Sequence, residues 1–200
     1  MIGRKAQERT SGVLLLLLMV AHTVTHPERG AWVLLSACDV ATLATAIGLV
    51  AGWPRVVAVA FLFQMSIGLP AFFVGLATHT YTPNTTSVAI HLLPPLAGGW
   101  AVRRTGLPPR ALAAALLVYF VVVVASLLFS PPALNVNLVF TVWPPIRRLT
   151  SGRLAGLLLF HGVGPLILLS VGAAALRRGF PGALSSTRGP SPARLPDMSG

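Results

Sequence analysis

The sequence predicts an all-α fold: a polytopic transmembrane helix bundle of six spans, with a seventh possible and the N-terminus cytoplasmic. Three observations predict it. Charged residues make up 10% of the 200 and hydrophobic ones 54%, whereas a soluble domain carries about 25% charged residues to cover its surface. Between Ala31 and Val102 the only charged side chains are Asp39 and Arg55. The mean hydropathy is +0.79, and the basic residues sit in short clusters at the ends of the apolar runs.

A spanning helix needs about 20 consecutive apolar residues. Six segments meet or approach that length: 11–27, 31–52, 56–78, 86–102, 111–130 and 154–176. The first follows a basic start (Arg4, Lys5, Arg9) as a signal peptide would, but no clean small-x-small cleavage site follows it. It reads as a retained span. Residues 131–145 are apolar but short, bounded by prolines and interrupted by Asn135 and Asn137, which suits a re-entrant or interfacial element better than a lipid-facing span. The domain division is therefore a cytoplasmic N-terminus over 1–10, a helical membrane domain over 11–176, and a basic Pro/Ser/Gly tail over 177–200 with no apolar periodicity, expected to be disordered.

The net charge of +11 follows the same plan. With six spans, 11 of the 15 basic residues fall on the cytoplasmic side, leaving Arg29, Arg147, Arg148 and Arg153 outside. A seventh span would make the division 10 to 5, so charge alone barely separates the two counts. Clusters such as Arg103/Arg104/Arg110 and Arg177/Arg178 fit anionic headgroups. They lack the basic face with aromatic or polar readers that marks nucleic-acid binding. Membrane lipids are the implied partners, nucleic acid is not, and the oligomeric state is open. The single cysteine, Cys38, excludes an intrachain disulfide. Asn84-Thr85-Thr86 matches a glycosylation acceptor, a short pattern that chance also produces.

Position along a span converts to depth at 1.5 Å per residue. Cys38 and Asp39 are expected about 10–12 Å below the outer surface, and His91 and His161 about 8–10 Å below it. His22 falls near the outer end of the first span, with His26 and His79 at the boundary. Every histidine, the cysteine and the one intramembrane acid thus share one half of the bilayer, leaving little beyond Gln64 and Ser66 in the other. A charged acid at a helix centre costs about 2.5–3.5 kcal/mol, so Asp39 calls for a partner, with His22, His161 and Arg29 the candidates by depth. His91 and His161 each precede a proline by four residues (Pro95, Pro165), which frees the histidine's own carbonyl and bends the helix. His22 and His26 are four apart and share a helix face, a spacing that suits a metal pair but lacks the further ligand of the usual motif. No metal or cofactor is expected on this pattern.

A cysteine nucleophile in apolar surroundings needs a base or cation to deprotonate it. Asp39 points about 100° away around the helix and opposes a thiolate, so the base must come from another helix. His91 has the matching depth. Otherwise Cys38 is a small buried hydrophobe, the commonest state of a free cysteine.

The stretch 34–52, beginning Leu-Leu-Ser-Ala-Cys-Asp, resembles the second-helix motif of the YwaF-like integral membrane family. His79-Thr-Tyr-Thr-Pro83 followed by His91, and Asn135-Val-Asn137 ahead of Pro144-Pro145, are also similar. The family looks akin to intramembrane lipid hydrolases and acyltransferases of the androgen-induced-protein type, which pair a Cys or Thr nucleophile with a His on a later helix. The resemblance implies Cys38 as nucleophile and His91 as base, with Asp39, Asn135, Asn137 and His161 in support. The chain departs from the pattern at Ser36-Ala37, where the family often has His-Leu, and at Leu138, where an aromatic would follow. Two other classes stand beside this reading: a redox subunit with His91 and His161 holding haem or metal, and a non-catalytic structural or transport protein.

Overall fold

A computed structural model of the chain describes residues 2–79, 82–150 and 152–181. Helix accounts for 82% of it and no strand occurs among the described residues, so the fold is all-α as expected. Six helices carry the architecture: α1 Ile2–Val24, α2 Ala37–Ala51, α3 Pro54–Ala77, α4 Thr85–Thr105, α5 Ala111–Phe129 and α6 Arg153–Gly179. Each overlaps one of the six apolar segments. Three of them, α3, α5 and α6, are long and apolar enough to cross a membrane. α2 is a shorter apolar helix, and α1 begins with a charged turn that includes the Arg4–Glu8 pair.

The helix ends follow from local chemistry. Gly52 closes α2 in the left-handed conformation (φ 71°), the usual glycine stop, and Pro54 starts α3 at a position where its missing N–H is no loss. Asn84 caps α4 by accepting the Ser87 N–H at 2.8 Å. Pro108 and Pro109 separate α4 from α5. Residues 131–150 form two 3₁₀ turns, Pro132–Leu134 and Val136–Leu138, and one short helix, Pro144–Arg147, rather than a seventh long helix. α6 runs on to Gly179 within the expected tail, of which 182–200 lies outside the described residues.

Contacts between helices run in opposite order along neighbouring chains. Gly12 of α1 faces Ala46 and Val50 of α2, while His22 faces Asp39. Gly48 of α2 faces Val57 of α3, while Cys38 faces Gly68. The same inversion relates α3 to α4 and α5 to α6. The bundle alternates in direction, which brings the C-termini of α1, α3 and α5 to one end with the N-termini of α2, α4 and α6. A Cβ on Gly12 would stand 2.7 Å from the Ala46 carbonyl oxygen, so the α1–α2 crossing needs glycine there. Close packing over small residues is how helices associate in apolar surroundings, where hydrophobic burial gives no drive.

α3 is the central helix. Phe61, Leu62 and Ala58 pack against Val102, Ala115, Leu169 and Ala173, and Val57 joins a second cluster with Leu15, Ala46 and Leu49. The outside of the bundle is apolar: Leu14, Leu17 and Val20 on α1, Leu117, Val121 and Leu128 on α5, and Ile167 and Val171 on α6 are each more than half exposed. A continuous apolar coat of this kind suits lipid and not water. Length, composition and surface together make this a membrane protein.

Two wide π turns interrupt the helices, Gln64–Gly68 in α3 and Leu159–Val163 in α6. Each ends two residues before a proline, Pro70 and Pro165. The widened turn re-registers the backbone ahead of a residue that cannot donate an N–H. His161 occupies the second of these turns, so its helix is distorted as the His-x-x-x-Pro spacing predicted, by a π turn.

Candidate functional site

The site begins with a helix start. The segment expected as one helix over 31–52 is a 3₁₀ turn, Gly30–Leu35, then the extended residue Ser36, then α2. Cys38 and Asp39 therefore lie in the first turn of α2, and not two turns inside it. Asn137 holds that start in place: its Oδ1 accepts the Ala37 N–H at 2.7 Å, and its Nδ2 donates to the Leu35 carbonyl and the Ser126 Oγ, both at 2.7 Å. Its φ of 54° places it in the left-handed region that asparagine tolerates.

Beside α2 stand the last turn of α1 and the first turns of α4. His22 is buried (3% exposed); its Nδ1 meets Thr86 Oγ1 at 3.1 Å and its Nε2 faces Asp39 Oδ1 at 3.6 Å. Of the partners expected for Asp39, His22 is the one that touches it. That Asp39 oxygen is buried and has no hydrogen-bond partner among the described residues. Thr86 Oγ1 also meets Asn84 Oδ1 at 2.9 Å and Thr25 Oγ1 at 2.8 Å.

His26 lies beyond the end of α1, so it and His22 do not share a helix face. Their rings still meet edge to face at 4.5 Å. His26 Nε2 accepts from Asn84 Nδ2 at 3.3 Å, which puts the ring proton on Nδ1, where it is donated to Glu28 Oε1 at 3.0 Å. The exposed Glu28 carboxyl is held below the usual glutamate range by its own backbone N–H and then by His26. No group of three or more His, Cys, Asp or Glu side chains suited to a metal ion occurs among the described residues.

His91 sits one turn further along α4, its Nδ1 donating to the Ser87 carbonyl at 2.7 Å and its ring stacked on Phe72 with centroids 4.3 Å apart. With the proton on Nδ1, Nε2 is the basic nitrogen. Cys38 points toward the π turn of α3: its Sγ would stand 3.3 Å from a Cβ on Gly68, and no hydrogen bond joins it to His91 among the described residues. Behind the cluster, Pro94 removes the donor for the Ile90 carbonyl, and Thr42 Oγ1 (3.2 Å) and Gln64 Nε2 (3.0 Å) supply replacements from α2 and α3. The freed carbonyl of α4 is thus tied to two neighbouring helices.

His161 belongs to a separate cluster. Its Nδ1 meets Tyr119 Oη at 2.8 Å and its Nε2 donates to the Leu138 carbonyl at 3.3 Å. Asn135 serves its own loop: Oδ1 accepts the Phe140 and Thr141 N–H groups at 2.9 and 3.0 Å, and Nδ2 donates to Thr141 Oγ1. Sequence reasoning grouped Asn135, Asn137 and His161 with Cys38; their hydrogen bonds serve the 131–150 loop and the start of α2. It missed Thr86, Ser87 and Thr25, although the hydroxyl run Asn84-Thr85-Thr86-Ser87 ahead of an apolar helix is itself a capping signal. Within 79–83, Thr80 and Tyr81 lie outside the described residues. Compared with protein-family models, curated proteins and solved structures, the chain gives no match, so the site stands on its own geometry.

Between α2, α3 and α5 runs an apolar groove of about 290 Å³, lined by Ala37, Ala41, Ala44, Phe63, Ala114 and Val118. Ala37, which lines it, precedes Cys38 in the chain.

Proposed function

We propose that the chain crosses the cell membrane six times with its N-terminus in the cytoplasm, and that it acts on a lipid acyl group as a hydrolase or acyltransferase. In this reading Cys38 attacks the acyl carbonyl and His91 takes its proton, as the resemblance to the YwaF-like pattern implies. The alternating direction of the six helices and the basic residues on the expected cytoplasmic side support the topology. One observation carries the chemistry: His91, His22 and Asp39 gather at the end of the bundle where Cys38 begins α2, beside an apolar groove suited to an acyl chain. His91 Nε2 would reach the thiol by a side-chain movement on substrate binding, since catalytic hydrogen bonds often tighten only in the complex. Asp39 supports the imidazole cluster through His22.

The test is labelling of the full-length protein in membranes with an acyl-reactive probe, alongside turnover of a fluorogenic lipid ester. Labelling at Cys38 that disappears in Cys38→Ala and falls in His91→Ala is expected. Full turnover in Cys38→Ala rules out the nucleophile.

A further inference from the structure

We propose that Thr25, Thr86 and His22 form a proton path that loads and unloads the buried acid Asp39 from one end of the bundle. The path is a line of four side chains from three helices' ends. Thr25 is exposed, and its Oγ1 lies 2.8 Å from Thr86 Oγ1, which lies 3.1 Å from His22 Nδ1. On the far side of the ring, Nε2 faces Asp39 Oδ1 at 3.6 Å, with both side chains less than 5% exposed. The terminal torsion of aspartate is soft, so a small rotation brings that oxygen within hydrogen-bond reach. Asp39 Oδ1 is buried and has no hydrogen-bond partner among the described residues, which leaves it free to take the ring's proton, while the Ser36 side chain serves the same carboxyl.

Each member can accept a proton on one side while giving one up on the other. Protonated Asp39 passes its proton to His22 Nε2, and the ring's Nδ1 proton moves to Thr86 Oγ1. At rest the Thr86 hydroxyl donates to Asn84 Oδ1 and the Thr25 hydroxyl to the His22 carbonyl; both turn about their C–O bonds, so that the Thr86 proton moves to Thr25 Oγ1 and the Thr25 proton leaves to water. One proton has left Asp39, every intermediate group is neutral again, and the imidazole now carries its proton on Nε2. That tautomer is primed for the reverse passage. Intramembrane acid and imidazole chains of this kind mark proton relays.

The second polar branch does not compete. Glu28 reaches His26, and His26 Nε2 meets Asn84 Nδ2 (3.3 Å) and Ser87 Oγ (3.2 Å). The Asn84 amide does not exchange protons as a hydroxyl does, and Ser87 Oγ has no hydrogen bond to His22 or Asp39 among the described residues, so this branch does not reach the acid. The ionisable groups facing Asp39 and His22 are His26, His91, Arg29 and Cys38, with Glu28 beyond His26. None of these stands between Thr25 and Asp39. The path does not depend on Cys38, and its test needs no substrate, so failure of the acyl-transfer reading leaves it standing.

The experiment follows the Asp39 carboxyl by time-resolved infrared spectroscopy after a pH step on the full chain in lipid vesicles, the band being assigned by its loss in Asp39→Asn. Thr86→Val is expected to slow the response by about tenfold or more without moving its end point, while Thr86→Ser, which keeps the hydroxyl, stays near the wild-type rate. Thr25→Val, at an exposed position that tolerates change, is expected to slow it too and stands in if Thr86→Val fails to fold. A pH step confined to the Thr25 end moves the band, and one confined to the opposite end does not. A wild-type rate in Thr86→Val and Thr25→Val, or an equal response from the opposite end, overturns the proposal.

Discussion

Asn137 lies 100 residues from Ala37 in the chain, and one amide group joins the two. Replacing it with alanine removes three hydrogen bonds: from the Ala37 N–H, to the Leu35 carbonyl and to the Ser126 hydroxyl. At about 0.5–1.5 kcal/mol net for each, the loss is about 2–4 kcal/mol. Alanine at the φ of 54° observed here adds about 1 kcal/mol, since a Cβ crowds the carbonyl in the left-handed region. A total of about 3–5 kcal/mol corresponds to a fall in Tm of about 6–20 °C for a chain of this size. Asn137→Gly loses the same hydrogen bonds without the backbone penalty, so it should melt about 2–4 °C above the alanine variant. Thermal unfolding of the purified protein by circular dichroism checks both. Amide exchange at residues 37–39 should accelerate in each, because the first turn of α2 loses its external acceptor. A Tm for Asn137→Ala within about 2 °C of wild type refutes the idea that this side chain sets the start of α2.

Three further outcomes follow from other contacts. Gly172→Ala drives a Cβ into Ser66 Oγ and to 2.9 Å from Ser66 Cβ, an overpacking worth about 1–3 kcal/mol, and Ser66→Ala in the same chain should restore part of the lost Tm but not all. Tyr119→Phe removes the hydroxyl that meets His161, and a double-mutant cycle with His161→Ala should show a coupling of about 0.5–3 kcal/mol; strict additivity would show that the contact contributes nothing. Glu28, whose carboxyl is held low, stabilises the fold fully above the ordinary glutamate pKa and loses that contribution as pH falls through the lowered value. Melting curves of wild type and Glu28→Gln should therefore differ near neutrality and converge in acid.

Much of this architecture was legible before any coordinate. The six apolar segments became six helices within a few residues, except at 2–10, where α1 starts nine residues ahead of its apolar run, and at 31–36, where a 3₁₀ turn and the extended Ser36 delay α2. Nothing in the apolar run Ala31–Leu35 distinguishes a helix from that approach; the Asn137 amide does, and it arrives from across the chain. The double proline in α4 was legible as a kink, but not the use of the Ile90 carbonyl, because its donors stand on α2 and α3. The depth argument placed His22 and Asp39 together and the structure pairs them. The same argument grouped His161 with His91, and here depth was too coarse, since the two differ in which neighbour they face around the bundle.

The sequence by itself determined an all-helical membrane chain whose few polar side chains concentrate near one end. Those are local properties, set by hydropathy, by proline and glycine, and by where charges may stand. Only the tertiary structure decided which polar atoms meet: Asp39 with His22, His22 with Thr86, Tyr119 with His161, Asn137 with the start of α2. Partnership in a bundle depends on helix rotation and order around α3, which small-residue packing fixes and linear spacing does not record.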